Sequence, residues 1–142
     1  MKEDKIFIDS NILIYANDTS SQKKFEIAKN IVDDLWQSNK GVISTQVLQE
    51  FFNVITKKIT QPIPIKTAKE IIGTLLKWHV VINDGEIILS AIDLHERHQI
   101  SFWDAMIVQA AINAEAHVIL SEDLTHGLVI DGVKIKNPFK DR

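Results

Sequence analysis

The chain has no cysteine, which excludes disulfides and thiolate metal sites and fits a reducing compartment. Arginine is nearly as scarce. Arg97 and Arg142 are the only two guanidinium groups in 142 residues, so acids in apolar surroundings cannot each have a bidentate arginine partner, although lysines could serve some. No apolar run approaches the ~18 residues of a membrane span. The charged start, residues 1–5, leads into a strand without a signal-peptide pattern, so a soluble, cytoplasmic protein with no membrane association is expected. A glycine-rich phosphate loop and a dinucleotide fingerprint are both missing, which argues against nucleotide-dependent chemistry. Nor is positive charge in excess: a formal charge of -3 and a pI near 5.9 give no global pull toward nucleic acid. Lysines do gather locally, at Lys23-Lys24, Lys57-Lys58, Lys66 with Lys69, and Lys134, Lys136 and Lys140, so one side of the surface could still be basic.

With 45% hydrophobic and 25% charged residues, the composition suits one ordinary globular domain spanning residues 1–142. Residues 5–9 read as a short buried strand, because three consecutive apolar residues, two of them β-branched, are bounded by charge and a turn-like Ser10-Asn11. A short helix should come next. Apolar residues at helical spacing over residues 22–37 predict an amphipathic helix, with Asp18, Thr19 and Ser20 offering caps upstream. Residues 41–44 look like a second strand. Thr45 is placed to cap the next helix, which Pro62 and Pro64 end. A helix over 65–77, a strand over 79–82, a helix from the Asp84 cap to about His98, a helix from Ser101 to near Ala116, a strand over 118–120 and an edge strand over 133–136 complete the pattern. Strands alternating with helices imply right-handed crossovers and a mostly parallel sheet of four to five strands, covered on both faces: an α/β class, three-layer α/β/α sandwich.

Against this background four acids stand out. Asp9 follows Ile6-Phe7-Ile8 and Asp123 follows Val118-Ile119-Leu120, so both lie where a buried strand ends. Active sites of open parallel sheets collect at those carboxyl ends. Asp104 falls in the first turn of its helix, and Glu50 at the flank of an apolar stripe beside Phe51; either could lean toward the same edge. A poorly hydrated carboxylate shifts its pKa, pairs with a base or binds a cation. A shared cluster of carboxylates suits Mg²⁺ or Mn²⁺, hard ions that take oxygen ligands and keep part of their water. Each acid also has an ordinary explanation. Asp104 completes a capping-box-like Ser101-Phe102-Trp103-Asp104, Asp9 could start a turn, Asp123 could cap Leu124 onward, and Glu50 could be a surface residue near Lys57 or Lys58. His95 and His98 share a helix face, yet no third ligand is near. Trp36, Trp78 and Trp103 should supply core or interface area, since no basic residues interleave with them.

The run Phe7-Ile8-Asp9-Ser10-Asn11-Ile12-Leu13-Ile14-Tyr15, with Glu50 in Val47-Leu48-Gln49-Glu50-Phe51-Phe52-Asn53-Val54, Asp104 in Ser101-Phe102-Trp103-Asp104-Ala105, and Leu120-Ser121-Glu122-Asp123-Leu124, resembles the PIN-domain family, most closely its VapC-type toxin ribonucleases. The resemblance extends to the closing Ile135-Lys136-Asn137-Pro138-Phe139. It implies a PIN-like fold and a Mg²⁺- or Mn²⁺-dependent endoribonuclease acting on RNA, often a homodimer, held in check by a cognate antitoxin. It also implies roles. Asp9, Glu50, Asp104 and Asp123 match the family's acidic quartet, with Asp9 and Asp104 as direct ligands of the first ion, while Asn11 and Ser121 match polar positions that shape the site. Glu122 is an extra acid that could extend the metal shell or face solvent.

Two other classes compete. An aspartyl-phosphate phosphotransferase would also display Asp9 after a buried strand, but the enzymes most like it carry a second Asp two residues on, where this chain has Asn11. A non-catalytic RNA-binding or partner-binding module would keep the acids for metal-stabilised folding and leave RNA uncut.

Overall fold

Short β-branched runs build the sheet. The computed structural model describes residues 4–140, so residues 1–3 of the charged start and Arg142 lie outside it. The strands are Ile6–Ile8 (β1), Gly41–Ser44 (β2), His79–Val81 (β3), Val118–Leu120 (β4), Val129–Ile130 (β5) and Val133–Lys136 (β6), in the order β3-β2-β1-β4-β6-β5. Every pairing is parallel except that of β5 with β6. Successive strand residues point to opposite faces. Phe7 and Ile8 are both fully buried, as are Val42 and Ile43, so both faces of the sheet centre are covered and the architecture is three-layered.

The helices are Ser10–Ala16 (α1), Lys23–Ser38 (α2), Thr45–Ile55 (α3), Ile65–Leu75 (α4), Gly85–His98 (α5) and Phe102–Asn113 (α6), with a 3₁₀ turn at Thr19–Ser21. They pack in two groups. Helices α1 to α4 contact one another around α1 and α3, α5 packs on α6, and α6 lies against β2, β4 and β6. Ala105, Met106, Ile107, Val108, Ala110 and Ala111 are all buried, so α6 is apolar around nearly its whole circumference and must sit inside the molecule. This fixes the position of its first turn, which carries Asp104.

The mixed α/β class with a mostly parallel sheet holds, with six strands in place of four to five. The additional strand is β5, only two residues long, and β6 is therefore not the edge. Asp131 and Gly132 join β5 to β6 with φ of 48° and 87°, the left-handed pair of a two-residue hairpin turn. Two caps also differ. Ser44, extended at φ -127° and ψ 167°, accepts the Val47 N–H and caps α3 in place of Thr45. Asp18 caps the 3₁₀ turn, whereas α2 has Gln22 at its N-cap position with no side-chain cap hydrogen bond. Trp36 and Trp78 pack edge to face at 5.5 Å, as core-forming tryptophans should.

The topology has one switch point. From β1 the chain moves outward through β2 to β3, and later returns to the other side of β1 through β4 to β6. The crevice at the carboxyl ends of β1 and β4 is where such sheets open a site.

Candidate active site

Asp9 ends β1 and caps α1. Its Oδ1 accepts the Ser10 N–H at 2.8 Å and its Oδ2 accepts the Ser121 hydroxyl at 2.8 Å, with the residue only 7% exposed. Burial pushes its pKa up to about 6; the Glu50 and Asp123 charges add to the rise, while the hydrogen bonds from Ser121 and Ser10 oppose it. No base pairs with it among the described residues.

Ser121 is the hub beside it. Its hydroxyl donates to Asp9 and accepts the N–H groups of Asp123 and Leu124 at 3.2 and 3.3 Å, so the loop after β4 turns around this fully buried side chain. Asn11, in the first turn of α1, ties the same loop down. Its Nδ2 donates to Asp123 Oδ2 at 3.2 Å and its Oδ1 accepts the Glu122 N–H at 3.1 Å. Glu50 projects from α3 and accepts hydrogen bonds from Ser10 Oγ at 3.1 Å and Gln46 Nε2 at 3.2 Å. Gln46 Nε2 also donates to the Trp103 carbonyl at 3.3 Å, which links α3 to the first turn of α6. Asp104 sits in that turn. Its N–H donates to the Ser101 hydroxyl at 3.1 Å, and its half-buried carboxylate has no partner among the described residues.

Asp9, Glu50, Asp104 and Asp123 therefore line one cleft of 390 Å³, together with Ser10, Asn11 and Gln46, and Lys58 is its one cationic wall residue among those described. The ordinary readings hold only in part: Asp9 caps the helix α1 where a turn was expected, and Ser101 caps α6 through the Asp104 N–H while the Asp104 carboxylate leaves the box unclosed. Asp123 does not cap Leu124 and the residues after it; Ser121 takes that role. Glu122 neither enters the cleft nor simply faces solvent. It lies outside the acid cleft, in the adjoining hollow beside Tyr15 and Asp18, where it pairs with Lys24 and accepts the Tyr15 hydroxyl at 2.6 Å. Burial alone would raise its pKa, but the hydrogen bonds and charge of Lys24, with Tyr15, outweigh that and hold it below the ordinary value. Trp103 is 63% exposed on the cleft rim, so it is no core residue. His95 is bonded through its ring to the Ile100 carbonyl, and no histidine joins a metal-ligand group among the described residues.

Whether the cleft suits a cation can be judged from its donors. Four carboxylates face one lysine, and Gln46 Oε1 is buried without a hydrogen-bond partner. Both partners of Gln46 Nε2 are acceptors, so the amide nitrogen must face them and the orphaned oxygen is real. Among the described residues no three acids stand as a ready-made ligand cage. Four carboxylates with an unsatisfied amide oxygen close by fit a divalent ion that takes oxygen ligands and keeps much of its own water.

Ser10 and Gln46 are the site residues that sequence reasoning passed over. Gln46 stands four residues before Glu50 and so shares its helix face, a spacing that was available as a signal. Ser10 offered none beyond its adjacency to Asp9.

A family model for the PIN domain matches residues 6–126. No curated protein matches the sequence. Among solved structures, VapC20 of Mycobacterium tuberculosis, described as a sarcin-ricin loop cleaving toxin, superposes with a TM-score of 0.65 at 17% identity over 84% of this chain and 90% of that one. A toxin-antitoxin complex from Klebsiella pneumoniae gives 0.69 at 18% identity over 95% and 98%. VapBC2 from Rickettsia felis, bound to a DNA fragment from its promoter, gives 0.63 at 17% over 93% and 97%. At such identities the likeness establishes the fold.

Proposed function

Because the chain belongs to the PIN-domain family, we propose that its acid cleft binds Mg²⁺ or Mn²⁺ and hydrolyses RNA phosphodiester bonds, as the toxin of a toxin–antitoxin pair. The observation that carries this reading is the meeting of four carboxylates from four separate segments in one cleft, with Lys58 as the one lysine among the described residues that line it.

Asp9 and Asp104 would hold the ion directly. Glu50 and Asp123 would supply the other two carboxylates, while Asn11 holds Asp123 and Ser121 holds Asp9 through the bonds already described. The ion, when bound, supplies an activated water and offsets charge on the attacked phosphate. The chain's own residues do the rest. Ser121 and Ser10 orient both oxygens of Asp9, and Asn11 steers Asp123 into the cleft. Glu50, held by the neutral donors Ser10 and Gln46, keeps lone pairs free to orient a water. Glu122 supports the site at one remove, by anchoring the loop that carries Ser121 and Asp123.

The partner reading rests on the structural neighbours, which include toxin–antitoxin complexes. A cognate antitoxin would bind this chain and block the cleft. Leu89 at 67% and Ile92 at 45% exposure on α5 offer an apolar face for a homodimer. Among the described residues no helix is long and apolar enough to cross a membrane, and a cytoplasmic RNA substrate is the matching proposal.

Incubation of purified protein with a mixed RNA pool in Mn²⁺ tests the reading: cleavage should occur, and should vanish with EDTA and in Asp9→Asn. RNA that binds but stays uncut by the wild type would favour the non-catalytic module.

A further inference from the structure

The acid cleft continues into a second hollow of 320 Å³, and the two share the wall residues Asn11, Ile14, Val54, Lys58 and Asp123. They form one groove. Lys58 stands at the junction, the only cation among the described residues lining either part. It lies just past the end of α3, with its backbone N–H held by the Val54 carbonyl at 2.7 Å. Its exposed side chain has no hydrogen-bond or ion-pair partner among the described residues, although several acids are nearby. Ile14 and Val54 are apolar wall common to both parts; beyond Lys58 the second hollow adds Ile59, the Tyr15 ring, the Thr60 hydroxyl, and the acids Asp18 and Glu122, the latter already held by Lys24 and Tyr15.

That sequence of surfaces matches the repeat of a single-stranded nucleic acid, a phosphate followed by a flat base with a polar edge. A polyanion approaching four carboxylates is repelled unless a fixed positive charge meets it. A lysine is well suited to hold a phosphate as a point charge. We propose that Lys58 binds the backbone phosphate next to the one cleaved, and that the second hollow holds the adjoining nucleotide of an RNA strand. The inference rests on the nuclease reading above and adds the direction in which the strand leaves the cleft.

The test uses the full chain with Mn²⁺ and a fluorescein-labelled, random-sequence single-stranded oligoribonucleotide, comparing wild type with Lys58→Ala, Lys58→Arg and Lys58→Glu. Lys58→Ala should raise KM about tenfold with kcat little changed, and should reduce the slope of log(kcat/KM) against log salt by about 0.7, the loss of one single-strand phosphate contact. Lys58→Arg should recover most of the loss, and Lys58→Glu should deepen it. The Mn²⁺-induced rise in melting temperature should be the same in all four proteins. A wild-type KM and salt slope in Lys58→Ala would overturn the proposal, as would a lost Mn²⁺ response, which would mean that Lys58 acts on the acids and not on RNA. If the wild type cuts no RNA at all, the nuclease reading fails first and takes this inference with it.

Discussion

Glu122 and Asp123 are neighbours in the chain and live in opposite regimes. Glu122 turns to Lys24 and Tyr15, which hold its pKa below the ordinary value; Lys24 also stands over the Tyr15 and Phe139 rings at 5.1 and 5.6 Å. Asp123 lines the acid cleft, where it accepts a hydrogen bond from the neutral Asn11 amide beside three further carboxylates, and where burial and like charges raise the Asp9 pKa to about 6. One acid is already neutralised and serves to anchor the loop. Those of the cleft form no ion pair among the described residues, and for the buried Asp9 this is a cost to the fold that a cation would relieve. Unpaired acids in a cleft, and not acids in general, mark a metal site.

The comparison breaks most sharply at Asp9. Asp9→Asn should reduce RNA cleavage by at least about a thousandfold, since it removes a proposed metal ligand. The same change should stabilise the metal-free protein at pH 8 by up to about 3 kcal/mol, because it deletes a buried charge whose ionisation the fold disfavours. Urea denaturation in EDTA measures this. A destabilised Asp9→Asn would mean that the carboxylate is not in fact uncompensated.

The two regimes should also show opposite pH responses. Asp9 has a raised pKa, so between about 4 and 6 the folded state keeps a proton that the unfolded chain has lost. Its contribution to metal-free stability is therefore best at low pH and falls as pH rises through that window. Glu122, with a lowered pKa, contributes stability above its unfolded value that is lost as pH falls. The stability difference between wild type and Asp9→Asn should widen from pH 4 to pH 7, while that between wild type and Glu122→Gln should narrow on acidification. Stabilisation by Mn²⁺ should grow over the same rise in pH, as the proton on Asp9 ceases to compete.

Ser121→Ala should cost about 2 kcal/mol, since it strands two backbone N–H groups and a buried carboxylate, and should raise the Mn²⁺ concentration needed for half-maximal stabilisation. The smallest effect belongs to the paired acid. Tyr15→Phe removes one hydrogen bond to Glu122 and should cost about 1 kcal/mol while changing kcat by less than about twofold.

Much of the fold was legible because its elements obey simple periodicities. Strands β1, β2 and β4 are apolar runs too short to be helices, and α2 and α5 repeat their apolar residues every three or four positions. Strand β5 was missed because two residues, Val129 and Ile130, carry no period; its signal lay instead in the Asp131-Gly132 turn dipeptide. The positions of Asp9 and Asp123 came from strand ends. Glu50 and Asp104 could be placed on helices but not aimed, since their direction depends on the Gln46 bridge between α3 and α6. The placement of Glu122 outside the acid cleft depends on Lys24 and Tyr15, both about a hundred residues away in sequence and invisible to any local pattern.

The most direct test is a Mn²⁺ titration of EDTA-treated protein, monitoring cleavage of an RNA pool in wild type and Asp104→Asn side by side. The account predicts no cleavage without metal, saturable cleavage as Mn²⁺ rises in the wild type, and none at the same concentrations in an Asp104→Asn protein that melts as a folded chain. Undiminished cleavage by the metal-free wild type, or by Asp104→Asn, would contradict it.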